Sequence, residues 1–202
     1  MDFPKLKTYV DYKRPLGSIE NIQKRRKFQS NFSWAIPSAK AVKSIVDFSN
    51  NETIYEIGAG KGYWAYFIDK MKGKIKCFDN PECVFHYFQS PKQNDCGQNI
   101  TDISQFKTFY PVDFCTPKEV FKKCKEASVL MLCWPEYDKD WAYEYLKKIN
   151  PKKLIYIGEE YGGCCANDAF FDCLEKNYKE IGFTDIPQWE GIHDYCFFYE
   201  RK

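Results

Sequence analysis

Hydrophobic positions along this chain fall into two alternating patterns: short solid apolar runs, and longer stretches in which apolar residues recur every three or four positions. Between residues 38 and 48, Ala41, Val42, Ile45, Val46 and Phe48 keep the helical spacing, and Ser38 after Pro37 is placed to cap the start, which predicts an amphipathic helix. Residues 53–57 form an apolar run that enters Gly58-Ala59-Gly60-Lys61-Gly62, and residues 63–71 then read as helix. Runs at 74–78, ending at Asp79, and at 109–112, ending at Asp113, predict the second and third strands. Thr116-Pro117-Lys118-Glu119 has the capping-box pattern with proline at the first helical position, and opens a helix to about Lys125. A strand over 128–133, a helix over 139–149, a strand over 153–157 and a helix capped by Asn167 continue the alternation.

The last two strand-like segments, 181–189 and 195–199, are joined by a turn too short for a helix, so they must pair antiparallel. Alternating strands and helices that finish in such a hairpin predict an α/β fold: a mostly parallel seven-stranded sheet with helices on both faces and a C-terminal antiparallel hairpin. The polar, weakly patterned stretch 80–106 reads as a long excursion and a candidate substrate loop.

The run Glu56-Ile57-Gly58-Ala59-Gly60-Lys61-Gly62 carries the strongest chemical signal. Glycines are needed where a strand turns sharply into a helix and a ligand approaches the backbone, because a Cβ would collide. A dinucleotide fingerprint would require glycine at position 63, which is Tyr63, so a nicotinamide oxidoreductase is disfavoured. The run instead resembles the first motif of the S-adenosylmethionine (SAM) dependent methyltransferases, [DE]-x-G-x-G-x-G, at Glu56, Gly58, Gly60 and Gly62.

That resemblance implies a Rossmann-like class I fold, SAM as cofactor, and a cofactor site made of Glu56, Gly58, Ala59, Gly60, Gly62, Asp79, Asp113, Phe114 and Cys133. Asp79, about twenty residues beyond the glycines, would take the ribose hydroxyls. Asp113 and Phe114 would meet the adenine, and Glu56 would act through the loop on the methionine end. The segment Trp134-Pro135-Glu136-Tyr137 after the fourth strand resembles the [DNS]-P-P-[FYW] loop of amino methyltransferases, with Trp134 and Glu136 departing from it. Phe32 to Pro37, Gly158 to Cys164 and Trp189 to Asp194 resemble a group of small methyltransferase-like proteins, which implies fold and cofactor but no acceptor.

Trp34, Trp134, Pro135 and Tyr137 are the candidate substrate-binding residues, since an aromatic face can stack on a flat acceptor; simple packing is the competing reading for Trp134 and Tyr137. Glu136, Tyr137, Glu159 and His193 are the candidate catalytic residues. Glu159 follows the fifth strand as a base or orienting carboxylate, and His193 in the terminal turn is either a proton carrier or an exposed turn residue. Gly162-Gly163 is a tight turn or a place where a ligand passes the backbone.

Charge adds a possible partner. Residues 1–31 carry eight basic against three acidic residues, +5 in a chain of net +2, which leaves −3 on residues 32–202. The expected organisation is a basic N-terminal arm, 1–31, before one SAM-binding domain, 32–202. The arm suits RNA or DNA, or simply solvates the chain. Ten cysteines show no C-x-x-C pair, which argues for reduced thiols and no metal site. With no apolar run of about 18 residues, a membrane partner is not expected, and a soluble, cytoplasmic protein is, the nucleus staying open as an alternative. The functional expectation is a SAM-dependent methyltransferase with nucleic acid favoured as acceptor; the competing reading is an inactive module of the same fold that binds or scaffolds.

Overall fold

The computed structural model describes residues 19–82 and 106–202. Its strands β1 (Ile54–Ile57), β2 (Ile75–Asp79), β3 (Val112–Phe114), β4 (Val129–Cys133), β5 (Lys153–Gly158), β6 (Tyr178–Asp185) and β7 (Tyr195–Arg201) form one sheet in the order β3-β2-β1-β4-β5-β7-β6. The first five in that order are parallel, and β7 runs antiparallel to both β5 and β6. Side chains alternate between sheet faces, so four consecutive buried residues in β4, Val129 to Leu132, mean that both faces are covered.

The helices are α1 (Ile19–Asn31), α2 (Ala39–Ser49), α3 (Tyr63–Lys70), α4 (Pro117–Cys124), α5 (Trp141–Ile149) and α6 (Asp168–Asn177). Three begin as the sequence predicts. Ser38 Oγ accepts the Ala41 N–H at 3.1 Å, Asn167 Oδ1 accepts the Phe170 N–H at 3.1 Å, and Thr116 and Glu119 close a reciprocal capping box on α4. Helix α2 packs on α3, and α4, α5 and α6 pack in series.

Two strands sit elsewhere than predicted. The third occupies Val112–Phe114 because Phe109 and Tyr110 are used otherwise: Phe109 donates its N–H to the Lys61 carbonyl at 2.8 Å and Tyr110 bonds the Ile75 carbonyl. The sixth begins at Tyr178, directly at the end of α6, and stops at Asp185, and Trp189 beyond its end packs edge-on against Phe28 of α1. Of the expected basic arm, residues 19–31 are the helix α1; residues 1–18 and most of the 80–106 excursion lie outside the described residues.

Candidate active site

The carboxyl ends of three strands meet in register: Ile57 of β1 pairs with Phe78 of β2 and with Leu132 of β4. From β1 the chain moves outward to β2 and β3, then returns to place β4 on the other side, so the crevice above β1 and β4 is the sheet's topological switch point. A cavity of about 750 Å³ opens there. Glu56, Gly58, Ala59, Gly60, Asp79, Asn80 and Cys133 line it together with Gln29, Trp34, Trp134, Glu136 and Trp141; a Cβ on Gly58 would come to 3.0 Å from the Trp141 indole.

Gly58, Gly60 and Gly62 all have left-handed φ values, +76°, +55° and +65°. At Gly62 a Cβ would also come within 3.0 Å of the Tyr110 carbonyl oxygen. At Gly60 it would meet nothing within 4 Å, so a substituent there enters open space. Asp79 fixes this loop by accepting the Gly60 N–H at 2.6 Å and the Asn80 N–H at 2.7 Å. Burial nevertheless raises its carboxyl to about 6, with the two amides pulling down and the charge of Glu136 adding to the rise. Glu56 is more deeply buried; burial pushes it to about 8, against the hydrogen bond from the Cys77 thiol at 3.4 Å. Burial likewise drives the Cys133 thiol well up, which keeps it neutral.

Part of the lining is aromatic. Trp134 lies in left-handed backbone, φ +52°, a conformation that a bulky residue rarely adopts. Its indole N–H donates to Asp194 Oδ2 at 2.9 Å and its backbone N–H to the Ile157 carbonyl at 2.7 Å. Trp34 stacks on it, ring centroids 5.5 Å apart and planes at 21°, and the Arg25 guanidinium lies 5.7 Å from its ring centroid. Glu136 accepts the Trp141 indole N–H at 2.5 Å. Asp194 is 1% exposed, burial raises it to about 6, and its Oδ1 has no hydrogen-bond partner among the described residues.

No protein-family model and no curated protein matches the chain. Among solved structures, it is similar to an uncharacterised protein of Listeria monocytogenes serotype 4b, 13% identical over 82% of this chain and 69% of that one, with a TM-score of 0.51. It is also similar to the 1,6-didemethyltoxoflavin N1-methyltransferase of Burkholderia thailandensis, a structure holding 1,6-didemethyltoxoflavin and S-adenosylhomocysteine (SAH), 10% identical over 96% and 93% of the two chains, TM-score 0.50. TrmN of Thermus thermophilus aligns at 8% identity over 80% of this chain, TM-score 0.49, and the chain spans only 48% of it. The fold is that of the class I SAM-dependent methyltransferases.

Within this class I fold, several expected site residues stand away from the cavity. Asp113, expected on the adenine, is exposed and pairs with Lys123 at 2.6 Å, because β3 has moved it from the strand end into the strand middle; Phe114 packs edge-on against Phe106, and it is Phe106 that lines the cavity. Both carboxylate oxygens of Glu159 are engaged. They accept the backbone N–H groups of His193 at 2.8 Å and Cys164 at 2.7 Å, and although burial works against ionisation, these amides hold the carboxyl below its ordinary range. Gly163 is part of the same latch, since a Cβ there would strike Glu159 Cβ, so the Gly162-Gly163 pair is a tight turn around a carboxylate. His193 takes part through its backbone and its side chain is exposed; Tyr137 is 53% exposed, and Pro135 is buried without lining the cavity. Glu136, Trp34 and Trp134 do line the cavity.

Gln29, Asp194 and Trp141 were not singled out from the sequence. Gln29 sits in α1, where four adjacent charges hide the apolar spacing of Ile22, Phe28 and Phe32, and Asp194 was passed over beside His193. The adjacency of Trp141 to the Trp134-Pro135-Glu136 loop was the one local signal for the cavity-lining role of that indole.

Proposed function

We propose that this chain is a SAM-dependent methyltransferase. The observation that carries the reading is one cavity at the switch point, lined by the glycine loop, the buried Glu56, the half-buried Asp79 and a set of tryptophans. The donor set fits SAM: Glu56 and Asp79 are acceptors suited to an ammonium and to ribose hydroxyls. Bound there, SAM would supply an electrophilic methyl group on its sulfonium.

The chain's own residues then have limited work. The glycine loop admits the ligand to the backbone, Asp79 would exchange its loop amides for hydroxyls, and the tryptophan wall orients the acceptor and excludes water. Glu136 is an exposed carboxylate of the cavity lining and the group we assign to receive a proton where the acceptor gives one up. Nucleic acid is the favoured acceptor class, supported by Lys24, Arg25, Arg26 and Lys27 on α1 beside the cavity wall.

Calorimetric titration with SAM and SAH tests the cofactor. Micromolar binding is expected for the wild-type chain, and Gly60→Arg, whose side chain enters the open space above the loop, is expected to lose it while staying folded. A folded wild-type chain that binds neither ligand would sink the proposal. SAH binding without methyl transfer to RNA, DNA or protein would favour the scaffold reading, for which Trp134 in place of a carbonyl-bearing residue is the supporting observation.

A further inference from the structure

We infer that Glu159 is a positioning residue: its carboxylate clamps the turn that carries Asp194 onto the end of β5, and so holds the Trp134 indole in place at the cavity. The inference rests on the methyltransferase reading for what Trp134 is held to do; the clamp stands without it. Trp134 needs holding. Its φ of +52° is a backbone conformation that costs a bulky residue energy, so bonds and not local preference keep it there. Its backbone N–H is fixed by the Ile157 carbonyl and its indole N–H by Asp194 Oδ2. The direction of the indole N–H is therefore set by where Asp194 stands.

The pairing of β5 with β7 ends at Gly158 and Tyr195, so Asp194 lies just past the last backbone pair. Two hydrogen bonds of its turn are internal, the Ile192 N–H to the Trp189 carbonyl at 3.0 Å and the Gln188 side-chain amide to the Asp194 carbonyl at 2.8 Å. The Glu159 side chain supplies the tie to β5: Oε1 accepts the N–H of His193, the residue beside Asp194, at 2.8 Å. Its Oε2 accepts the Cys164 N–H at 2.7 Å and so fixes the loop after β5. That loop in turn reaches the residues after Trp134, through the Ala166 N–H on the Pro135 carbonyl at 2.8 Å and a backbone bridge from Cys165 to Glu136. One buried carboxylate thus braces Trp134 twice, its indole through Asp194 and its backbone through Pro135. Both amides are donors, and a carboxylate accepts with both oxygens where a neutral side-chain amide offers one. Gly163 leaves the room, since a Cβ there would strike Glu159 Cβ.

The test reads the Trp134 indole directly, by proton–nitrogen correlation spectra of the full chain with nitrogen-labelled tryptophan. Trp134→Phe and Trp64→Phe assign two of the five indole signals by removing them. In Glu159→Gln the Trp134 signal is expected to shift, and its exchange with solvent deuterium to quicken by about tenfold, the scale of one weakened hydrogen bond. The Trp64 signal, from an indole bonded to the Ala35 carbonyl, should stay. Gly163→Ala keeps the charge but crowds the carboxylate off its amides; it should act in the same direction, and it stands in if Glu159→Gln does not fold. Thr116→Ala, a loss of stability outside the clamp, should leave Trp134 as it is. In an Asp194→Ala chain, where the indole has already lost its acceptor, Glu159→Gln should add little. A Trp134 signal unmoved in Glu159→Gln and Gly163→Ala, or moved equally by Thr116→Ala, overturns the clamp; so does a full effect of Glu159→Gln in the Asp194→Ala chain. SAH titration of the same preparations keeps the two readings apart. A clamp that fails in an SAH-binding chain leaves the methyltransferase standing, and a clamp that holds in a chain binding no SAH does the reverse.

Discussion

Glu56 shows how a single side chain can serve binding at the expense of stability. Its carboxyl rises from 4.5 to about 8 because burial penalises the charge. A carboxyl with a raised folded value favours the native state while protonated, so its contribution is complete below pH 4.5 and is lost as pH climbs through 8. Asp79 adds the same trend between 3.8 and about 6. The free protein is therefore expected to lose melting temperature steadily from pH 5 to pH 8. Glu56→Gln, which keeps the shape and removes the charge, should melt higher than wild type by about 5 °C at pH 8.5 and show little difference at pH 5. A ligand ammonium favours the ionised form, so SAM affinity in the wild type should rise over that same interval, and calorimetry in buffers of different ionisation enthalpy would register proton release. At this scale the sequence was legible where backbone geometry dictates residue type, as at Gly60 and Gly62. It was not legible at Glu159 or Asp113, because the partners that occupy those carboxylates, the amides of Cys164 and His193 and the ammonium of Lys123, are set by tertiary placement.

Elements were read most accurately where their ends carry chemistry. The capping box of α4 and the caps of α2 and α6 fixed three helix starts, and Thr116→Ala should cost about 1 kcal/mol in a denaturant titration. Strand β3 was misplaced by a few residues since Phe109 and Tyr110 look like strand residues yet pack on the glycine loop and on Phe32 and Tyr63. Helix α1 went unread because its mean composition is polar; its few apolar positions, chiefly the buried Phe28 between Tyr63 and Trp189, do the docking. Phe28→Ala is expected to cost about 3 kcal/mol and, by loosening the wall that holds Gln29, to weaken acceptor binding more than SAH binding. Equal loss of both would show that α1 supports the whole crevice and not one side of it.

For the whole molecule, strand order matters more than any one contact. The last strand in sequence, β7, lies between β5 and β6, so it closes the sheet and carries Asp194, the partner of Trp134, at its approach. A chain ending before Tyr195 should therefore lose cooperative unfolding altogether, with circular dichroism retaining helix but no sharp transition. The fold class, the parallel-to-antiparallel change and the switch-point location were all readable from the sequence, because each follows from element order. Trp34 and Trp134 were named from the sequence, but their mutual stacking was not, since it joins residues a hundred positions apart. The cavity's tryptophans also give the protein a built-in optical signal. Of its five tryptophans, Trp34, Trp64, Trp134 and Trp141 line one cavity. Intrinsic emission excited at the indole band is thus largely light from the pocket, and a guest settling there should quench or shift it without any label.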